Sequence, residues 1–147
     1  MRRAFYFLTM LVMAPLPILA NAQNEISLLS RNGEAVAYIA VDDGLTTYLW
    51  SGTPTAYLKP DINGGYHVYG FNGKHLGWFM SGVIYDHQGL VACATNEVLE
   101  TTKIENIKPL RDLKPLKSIE DIPPLRPIFS RSFGKKPCQF LIAEGMQ

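Results

Sequence analysis

The sequence predicts an all-β protein in which four β-hairpin repeats pack around a pseudo-four-fold centre, with an extended Pro-rich tail behind them. Two observations support this prediction. Four short units of the 147-residue chain follow one order: β-forming residues, a turn with a glycine, a few residues, then a small residue followed by a large one. After them comes a segment with an aliphatic residue at every third position and five prolines, a pattern typical of neither α-helices nor strands.

Residues 1–22 are predicted to be a secretory signal peptide rather than part of the fold. A basic start precedes an apolar run, and the segment ends in small residues, so cleavage is expected between Ala22 and Gln23. An uncleaved membrane anchor is the alternative. However, Pro15 and Pro17 interrupt the apolar run, which is shorter than the roughly 20 residues that a span requires. We therefore expect a periplasmic or secreted protein with no membrane span after cleavage.

Charge is unevenly distributed along the remaining chain. Loss of two arginines with the signal peptide leaves 12 basic against 13 acidic residues, so the net charge gives no indication of nucleic acid binding. The net charge is −5 over residues 23–102 and +5 over residues 103–136. Because opposite charges attract, the simplest partner for the basic tail is the acidic domain of the same chain.

Each of the four units, within residues 23–102, is predicted to be a β-hairpin. Their turn glycines are Gly33, Gly52, Gly73 and Gly89, at intervals of 19, 21 and 16 residues. Asn-Gly in the first and third units favours a two-residue type I′ turn. The segments between the units are short and rich in turn-forming residues, so they leave no room for a crossover helix.

Alternation of side chains along these hairpins defines two faces. We interpret the face rich in Tyr, Trp and Phe as the core. The other face carries a small residue at equivalent sites, which implies close packing against a neighbouring backbone or ring. These small residues are Ala37, Ala56, Gly77 and Ala92. In the fourth unit the small residue comes one position earlier after the glycine, so its turn is expected to differ.

The run from Arg31 to Ala94, with "RNGEAVAYI", "YLWSGTPTAYL", "GFNGKHLGWF" and "DHQG", resembles the bacterial four-fold β-flower domain. The resemblance implies four β-hairpins arranged as petals, followed by the Lys-Pro-Leu-rich tail that such proteins often carry. It implies no activity and no catalytic residues, because its motifs are turn and packing motifs.

The tail, residues 103–136, is predicted to adopt polyproline II structure, because a period of three with many prolines suits that helix better than a 3₁₀-helix. Its aliphatic edge is expected to pack along the hairpin domain; the alternative is that it binds an external partner with an aromatic groove. Residues 137–147 contain one short apolar run that is expected to form a strand. The nine aliphatic residues of the tail are Ile104, Ile107, Leu110, Leu113, Leu116, Ile119, Ile122, Leu125 and Ile128.

Two cysteines, Cys93 and Cys138, remain after cleavage of the signal peptide. In an exported protein an even pair indicates one disulfide, with two buried thiols as the alternative. Two cysteines at this separation do not resemble a zinc site, which needs more ligands at closer spacing.

The sequence contains no recognised catalytic or metal-binding motif. Side-chain alternation places His67 and His87 on the aromatic face and His75 on the opposite face, so structural or surface roles are favoured over a metal site. A G-x-S-x-G elbow and a phosphate-binding loop are both missing from the sequence. We therefore predict no catalytic residues, no metal site and no cofactor.

One set of residues depends on the repeat itself. Arg31, Trp50, Phe71 and His87 stand two positions before each turn glycine, where they form a ring for a sugar, peptide or anionic group, or else cap the core and receive the tail. We expect an exported, non-enzymatic module that binds an envelope protein, peptide or glycan, or has a structural role there. The alternative is a small envelope hydrolase or metal-dependent enzyme that uses His67 and His87.

Overall fold

The computed structural model describes residues 24–146, in which eight antiparallel strands close into a barrel. Each strand pairs with the next along the chain, and the first pairs with the last, so the prediction of an all-β fold made of four hairpins is confirmed. The predicted signal peptide and its cleavage site between Ala22 and Gln23 lie outside the described residues. The strands are β1 (Glu25–Leu29), β2 (Ala35–Ala40), β3 (Thr46–Leu49), β4 (Pro54–Pro60), β5 (Tyr66–Gly70), β6 (His75–Met80), β7 (Val83–Tyr85) and β8 (Val91–Ala94).

All four hairpins, the petals, end in the same turn. In the first petal the amide of Gly33 donates to the carbonyl of Ser30 at 2.9 Å, and the amide of Ser30 donates to the carbonyl of Glu34 at 2.8 Å. The same two bonds recur at the other three turn glycines. Gly33 has a φ of 74°, whereas Asn32 does not have a positive φ, so the loop has three residues and ends in a left-handed glycine. The predicted type I′ turns and the predicted difference in the fourth turn are therefore both wrong.

Every petal also contains a bulge three residues after its turn glycine. In the first petal Leu28 pairs with Ala37 and Leu29 pairs with Ala35, so Val36 has no partner. The same shift in register occurs in the other three petals. One extra residue reverses the side-chain alternation on one side of the bulge, so faces assigned by strict alternation are incorrect there. The four bulge residues are Val36, Thr55, Leu76 and Ala92.

The core lies inside the barrel, and small and aliphatic residues fill it. Ala37 and Ala56 are fully buried there together with Ile39, Val68 and Ile84. The large aromatic residues instead form separate clusters on the outside of the barrel, where the tail covers them. The prediction that the aromatic face is the core is therefore wrong, because a narrow barrel has room inside only for the smaller side chains.

A short helix fills one end of the barrel. Residues 137–147 were expected to form a strand, but Cys138–Ala143 is a helix, α2, and a shorter helix, α1 (Asn96–Leu99), follows β8. Cys138, Leu141 and Ile142 are buried and follow the i, i+3, i+4 spacing of one helix face. These three side chains join the barrel core, which explains why the segment is helical.

Residues 101–134, which we call the belt, run around the outside of the barrel. The belt crosses the turn glycines of the second, third and fourth petals in order, and one belt amide donates to the carbonyl of each glycine. Its donors are nine residues apart, because each step to the next petal uses three turns of an extended segment with three residues per turn. The amides of Asp112, Asp121 and Ser130 donate to the carbonyls of Gly52, Gly73 and Gly89 at 2.9, 2.8 and 2.8 Å.

Candidate functional site

The residues predicted to form a ring lie at equivalent positions, but each contacts its own part of the structure. The guanidinium of Arg31 donates to the carbonyls of Phe133 and the residue after it, both at 3.1 Å. The indole Nε1 of Trp50 donates to the carbonyl of Asn106 at 3.2 Å. Trp50 therefore binds near the start of the belt, and Arg31 binds its end.

The other two members of the predicted ring behave differently from each other. Phe71 is only 1% exposed and packs on Tyr57, with ring centroids 5.5 Å apart. Its carbonyl accepts a hydrogen bond from the amide of Ser118 in the belt at 2.8 Å. His87 is exposed at its petal tip and bonds to His75. Each of the four residues thus has its own contacts.

Basic side chains of the belt lie over the aromatic rings on the outside of the barrel. The ammonium group of Lys108 is 4.5 Å from the ring centroid of Tyr38 and 4.8 Å from that of Trp50. The ammonium group of Lys117, nine residues later, is 3.8 Å from the ring centroid of Tyr57. Such cation–π contacts contribute about 0.5–1 kcal/mol each at exposed sites. The belt therefore covers the aromatic residues with cations rather than with aliphatic side chains.

Ion pairs connect the basic belt to the acidic barrel, as the charge distribution suggests. Glu25 is the clearest case, since both Lys108 and Arg111 bond to its carboxylate. Burial raises the pKa of Glu25, but the bonds from the two cations outweigh it and hold the pKa below its ordinary value. Further pairs join Lys114 to Asp43, Lys59 to Glu120 and Arg126 to Asp61.

The nine aliphatic side chains of the tail point away from the barrel and form a row that we call the aliphatic ridge. They are 91–96% exposed, so the prediction that this edge packs on the hairpin domain is wrong. The reason is that charged side chains and backbone groups of the belt occupy the positions facing the barrel. Every third residue is therefore left on the outer edge, about 9 Å from the next in an extended segment. The ridge consists of Ile104, Ile107, Leu110, Leu113, Leu116, Ile119, Ile122, Leu125 and Ile128.

The three histidines form a hydrogen-bonded chain that runs from β5 and β6 of the third petal to the tip of the fourth petal. Nδ1 of His67 is 3.0 Å from Nε2 of His75, and Nδ1 of His75 is 3.0 Å from Nε2 of His87. Nε2 of His67 is 3.3 Å from a carboxylate oxygen of Asp61, which also binds Arg126 of the belt. The chain thus leads from the exposed ring of His87 to a buried carboxylate.

The carboxylate of Asp61 sets the direction of the hydrogen bonds along this chain. It accepts a hydrogen bond from the N–H at Nε2 of His67, which leaves Nδ1 of His67 to accept from Nε2 of His75. Nδ1 of His75 accepts from Nε2 of His87 in the same way. Burial, together with the neighbouring His87 and His67, lowers the pKa of His75 from 6.5 to about 4. His75 is therefore neutral near pH 7.

The prediction that His75 lies on the opposite face from His67 and His87 is wrong. His75 pairs with Tyr69 on the barrel side opposite the core, because the bulge at Leu76 shifts the register by one residue. Among residues 24–146, no group of three or more His, Cys, Asp or Glu side chains is arranged to hold a metal ion. The ring nitrogens point at one another in sequence rather than at a common point.

Cys93 and Cys138 form a disulfide, with sulfur atoms 2.01 Å apart and α-carbons 4.9 Å apart, as predicted. Cys93 lies four residues after the turn glycine of the fourth petal, where the other petals have Ala or Gly. Both sulfur-bearing residues belong to the barrel core. The bond therefore closes the belt into a covalent loop attached to the inside of the barrel.

Sequence reasoning missed the nine-residue repeat of the belt. The consecutive segments "LRDLKPLKS" and "IEDIPPLRP" have an aliphatic residue at positions one, four and seven, an aspartate at position three and a basic residue at position eight. Position three supplies the amide that binds a turn glycine, and position eight supplies Lys117 and Arg126. This nine-residue repeat was present in the sequence, but the spacing of three between the aliphatic residues is the more obvious pattern.

Comparison with known proteins gives one match. A family model described as "4-fold beta flower protein" matches residues 26–142, which is most of the chain. No curated protein and no solved structure matches. Within residues 24–146, none of the helices has the length and apolar character needed to cross a membrane.

Proposed function

The chain belongs to the 4-fold beta flower family, and from this premise we propose that it is an exported, non-enzymatic binding module of the cell envelope. The observation that supports this proposal is the aliphatic ridge. Soluble proteins rarely expose contiguous apolar patches of more than a few hundred Å², and larger ones mark interaction surfaces. Here the barrel holds the belt in place by its polar edges and presents the apolar edge outward.

The size of the ridge agrees with a protein interface. Complete burial of one Leu or Ile side chain contributes about 1.5–3 kcal/mol, which at about 25 cal/mol per Å² corresponds to roughly 60–120 Å². Nine such side chains therefore offer about 500–1,100 Å² of apolar surface. A standard interface buries about 800 Å² on each partner. A partner that covers most of the ridge would thus bury an area sufficient for specific binding.

The course of the belt favours an envelope protein over a lipid bilayer as the partner. The belt contacts the tips of all four petals, so its ridge faces outward around the barrel rather than in one direction. A flat bilayer meets only one side of such a row, whereas a concave protein surface or several subunits can contact it all round. The exposed polar side chains of the petal tips, such as Arg31 and Lys74, also disfavour insertion into lipid.

A capture experiment with matched variants tests the proposal. The mature wild-type protein and the triple variant Leu113→Gln/Leu116→Gln/Leu125→Gln are used as baits in envelope extract. Because these side chains are exposed, the triple variant should keep its free energy of unfolding within about 0.5 kcal/mol of wild type. We expect wild type to capture a protein that the triple variant loses.

The control is Ile62→Gln, which removes an exposed isoleucine outside the belt and should leave capture unchanged. Equal capture by wild type and the triple variant would count against the ridge as the binding surface. Ridge-dependent binding to phospholipid vesicles, with no protein captured, would show that the partner is a membrane.

The second candidate is the small envelope hydrolase or metal-dependent enzyme that uses His67 and His87. One observation favours it, namely that both histidines bond to His75. However, the cavity beside His87 is about 120 Å³, well below the roughly 300–1,000 Å³ typical of ligand pockets. Ester or peptide hydrolysis by the purified protein, lost in His87→Ala, would favour this candidate instead.

A further inference from the structure

The fourth petal differs from the other three on the outside of the barrel. Five residues after the turn glycine, the first three petals carry Tyr38, Tyr57 and Trp78, whereas the fourth carries Ala94. These four residues are structurally equivalent. In each petal, the strand partner of this residue directly precedes the two residues that lie opposite the bulge. The fourth petal therefore lacks the large ring that fills this position elsewhere.

The belt covers this position with one ring, Phe133, which packs against the buried cluster of Val83, Val91 and Ala94. Lys108 and Lys117 lie over Tyr38 and Tyr57, and Phe129 packs on Trp78 with ring centroids 6.1 Å apart. After Lys117 and Arg126, the next nine-residue step reaches Lys135, which lies beyond the belt and does not line the cavity beside Ala94. The small side chain of Ala94 therefore leaves a space that Phe133 does not fill.

A cavity of about 540 Å³ occupies that place, between β7 and β8 on one side and α1 and the end of the belt on the other. Its size lies within the roughly 300–1,000 Å³ range of small-molecule pockets. Val98 at its mouth is 45% exposed, while Ala94 at its floor is fully buried. The apolar lining consists of Val83, Val91, Ala94, Val98, Leu99 and Phe133.

One positive charge lines this cavity, whose other polar lining residues are Ser81 and Tyr85. The side chain of Arg131 is exposed, and within residues 24–146 no carboxylate forms an ion pair with it. Other belt cations do have such partners, as Arg111 and Arg126 show. A guanidinium presents a planar set of donors that matches a carboxylate. The cavity thus combines an apolar interior with an anion-binding group.

We propose that this cavity binds a small aliphatic monocarboxylate, with its alkyl chain between α1 and the fourth petal and its carboxylate at Arg131. The site is independent of the aliphatic ridge, so it goes beyond the proposed function. Charge and shape both select the ligand: an alkyl chain replaces the missing aromatic ring, and the carboxylate pairs with the free guanidinium.

Calorimetric titration of the full mature protein with octanoate and with 1-octanol tests this proposal. We expect saturable binding of both, with octanoate the tighter. Arg131→Gln should weaken octanoate binding by about threefold to fivefold, as expected for an exposed ion pair, and leave octanol binding unchanged. Lys135→Gln removes an exposed charge four residues after Arg131 that does not line the cavity, and it serves as the matched control, with no change expected.

Two further variants address the cavity itself. Ala94→Tyr supplies the ring that the other petals have and should abolish binding of both ligands. If circular dichroism shows that this variant does not fold, Val98→Trp, at an exposed helical position, blocks the mouth of the cavity and decides the question. Absence of saturable octanoate binding to wild type, or binding that persists in folded variants with a filled or blocked cavity, would overturn the proposal.

Discussion

The crossing of the belt over the third petal gives a prediction whose magnitude follows from the structure. A Cβ atom on Gly73 would lie 2.0 Å from the carbonyl oxygen of Ile119, so Gly73→Ala must displace the belt. Two backbone hydrogen bonds hold the belt there, from Asp121 to Gly73 and from Ser118 to Phe71, both 2.8 Å long. Their loss costs about 1–3 kcal/mol. The left-handed backbone, with φ at +87°, adds about 1–2 kcal/mol for any residue with a Cβ.

A second glycine separates these two costs. Gly64 has a φ of +91°, but a Cβ there would meet nothing within 4 Å. Gly64→Ala therefore carries only the backbone cost of about 1–2 kcal/mol. The free energy of unfolding of Gly73→Ala should accordingly fall by about 2–5 kcal/mol.

Urea unfolding measures the difference in the free energy of unfolding between the two variants. Limited trypsin digestion reports whether the belt is loosened at the crossing. Cleavage after Lys117, an exposed residue near the crossing, should be faster in Gly73→Ala than in Gly64→Ala. If the two variants lose the same free energy of unfolding and are cleaved at the same rate, the belt is not held at the petal tips as described.

Two further predictions concern the histidine chain and the disulfide. Because the pKa of His75 is about 4 in the folded protein and 6.5 in the unfolded one, only the unfolded state takes up this proton between those values, so stability should fall by up to about 3 kcal/mol as pH drops from 6.5 to 4. Urea unfolding at several pH values should show a shallower fall in His75→Gln, and an identical fall would contradict the assignment. Reduction of Cys93–Cys138, which closes a loop of 45 residues, should lower the free energy of unfolding by about 4 kcal/mol. Thiol titration verifies the reduction, and unchanged stability in the reduced protein would refute this estimate.

The sequence was sufficient to predict the number and kind of repeats, because turn glycines and β-forming runs are local signals. It was not sufficient to assign the faces of the hairpins. Asn-Gly fits both a type I′ turn and the three-residue loop that is present, since glycine adopts a positive φ in either. Each petal then has one further unpaired residue, such as Val36, and no residue type marks that position. The three-residue loop and the bulge were both missing from the predicted hairpins. Together, these two errors placed the aromatic residues inside the barrel instead of outside it.

The same error hid the histidine chain. Strict alternation separates His75 from the other two histidines, whereas the bulge at Leu76 brings it between them. For the tail, the period of three correctly indicated an extended segment. Its orientation could not be read from that period, because it depends on pairs such as Lys117 with Tyr57, which are distant in sequence. The spacing of Cys138, Leu141 and Ile142 fits one face of a helix. However, the apolar run is short, and a short apolar run is also consistent with a strand.

The number of petals and the length of the belt must change together. A petal is about 20 residues long and varies in length, since the turn glycines are 19, 21 and 16 residues apart, while the belt advances by nine residues per petal. Duplication of one petal in a gene would leave a belt too short to reach its disulfide partner, and duplication of one belt unit would leave nine residues of slack. Changes in the number of petals therefore require two matched duplications, which should keep proteins with this belt at four petals while the loops between the petals vary in length.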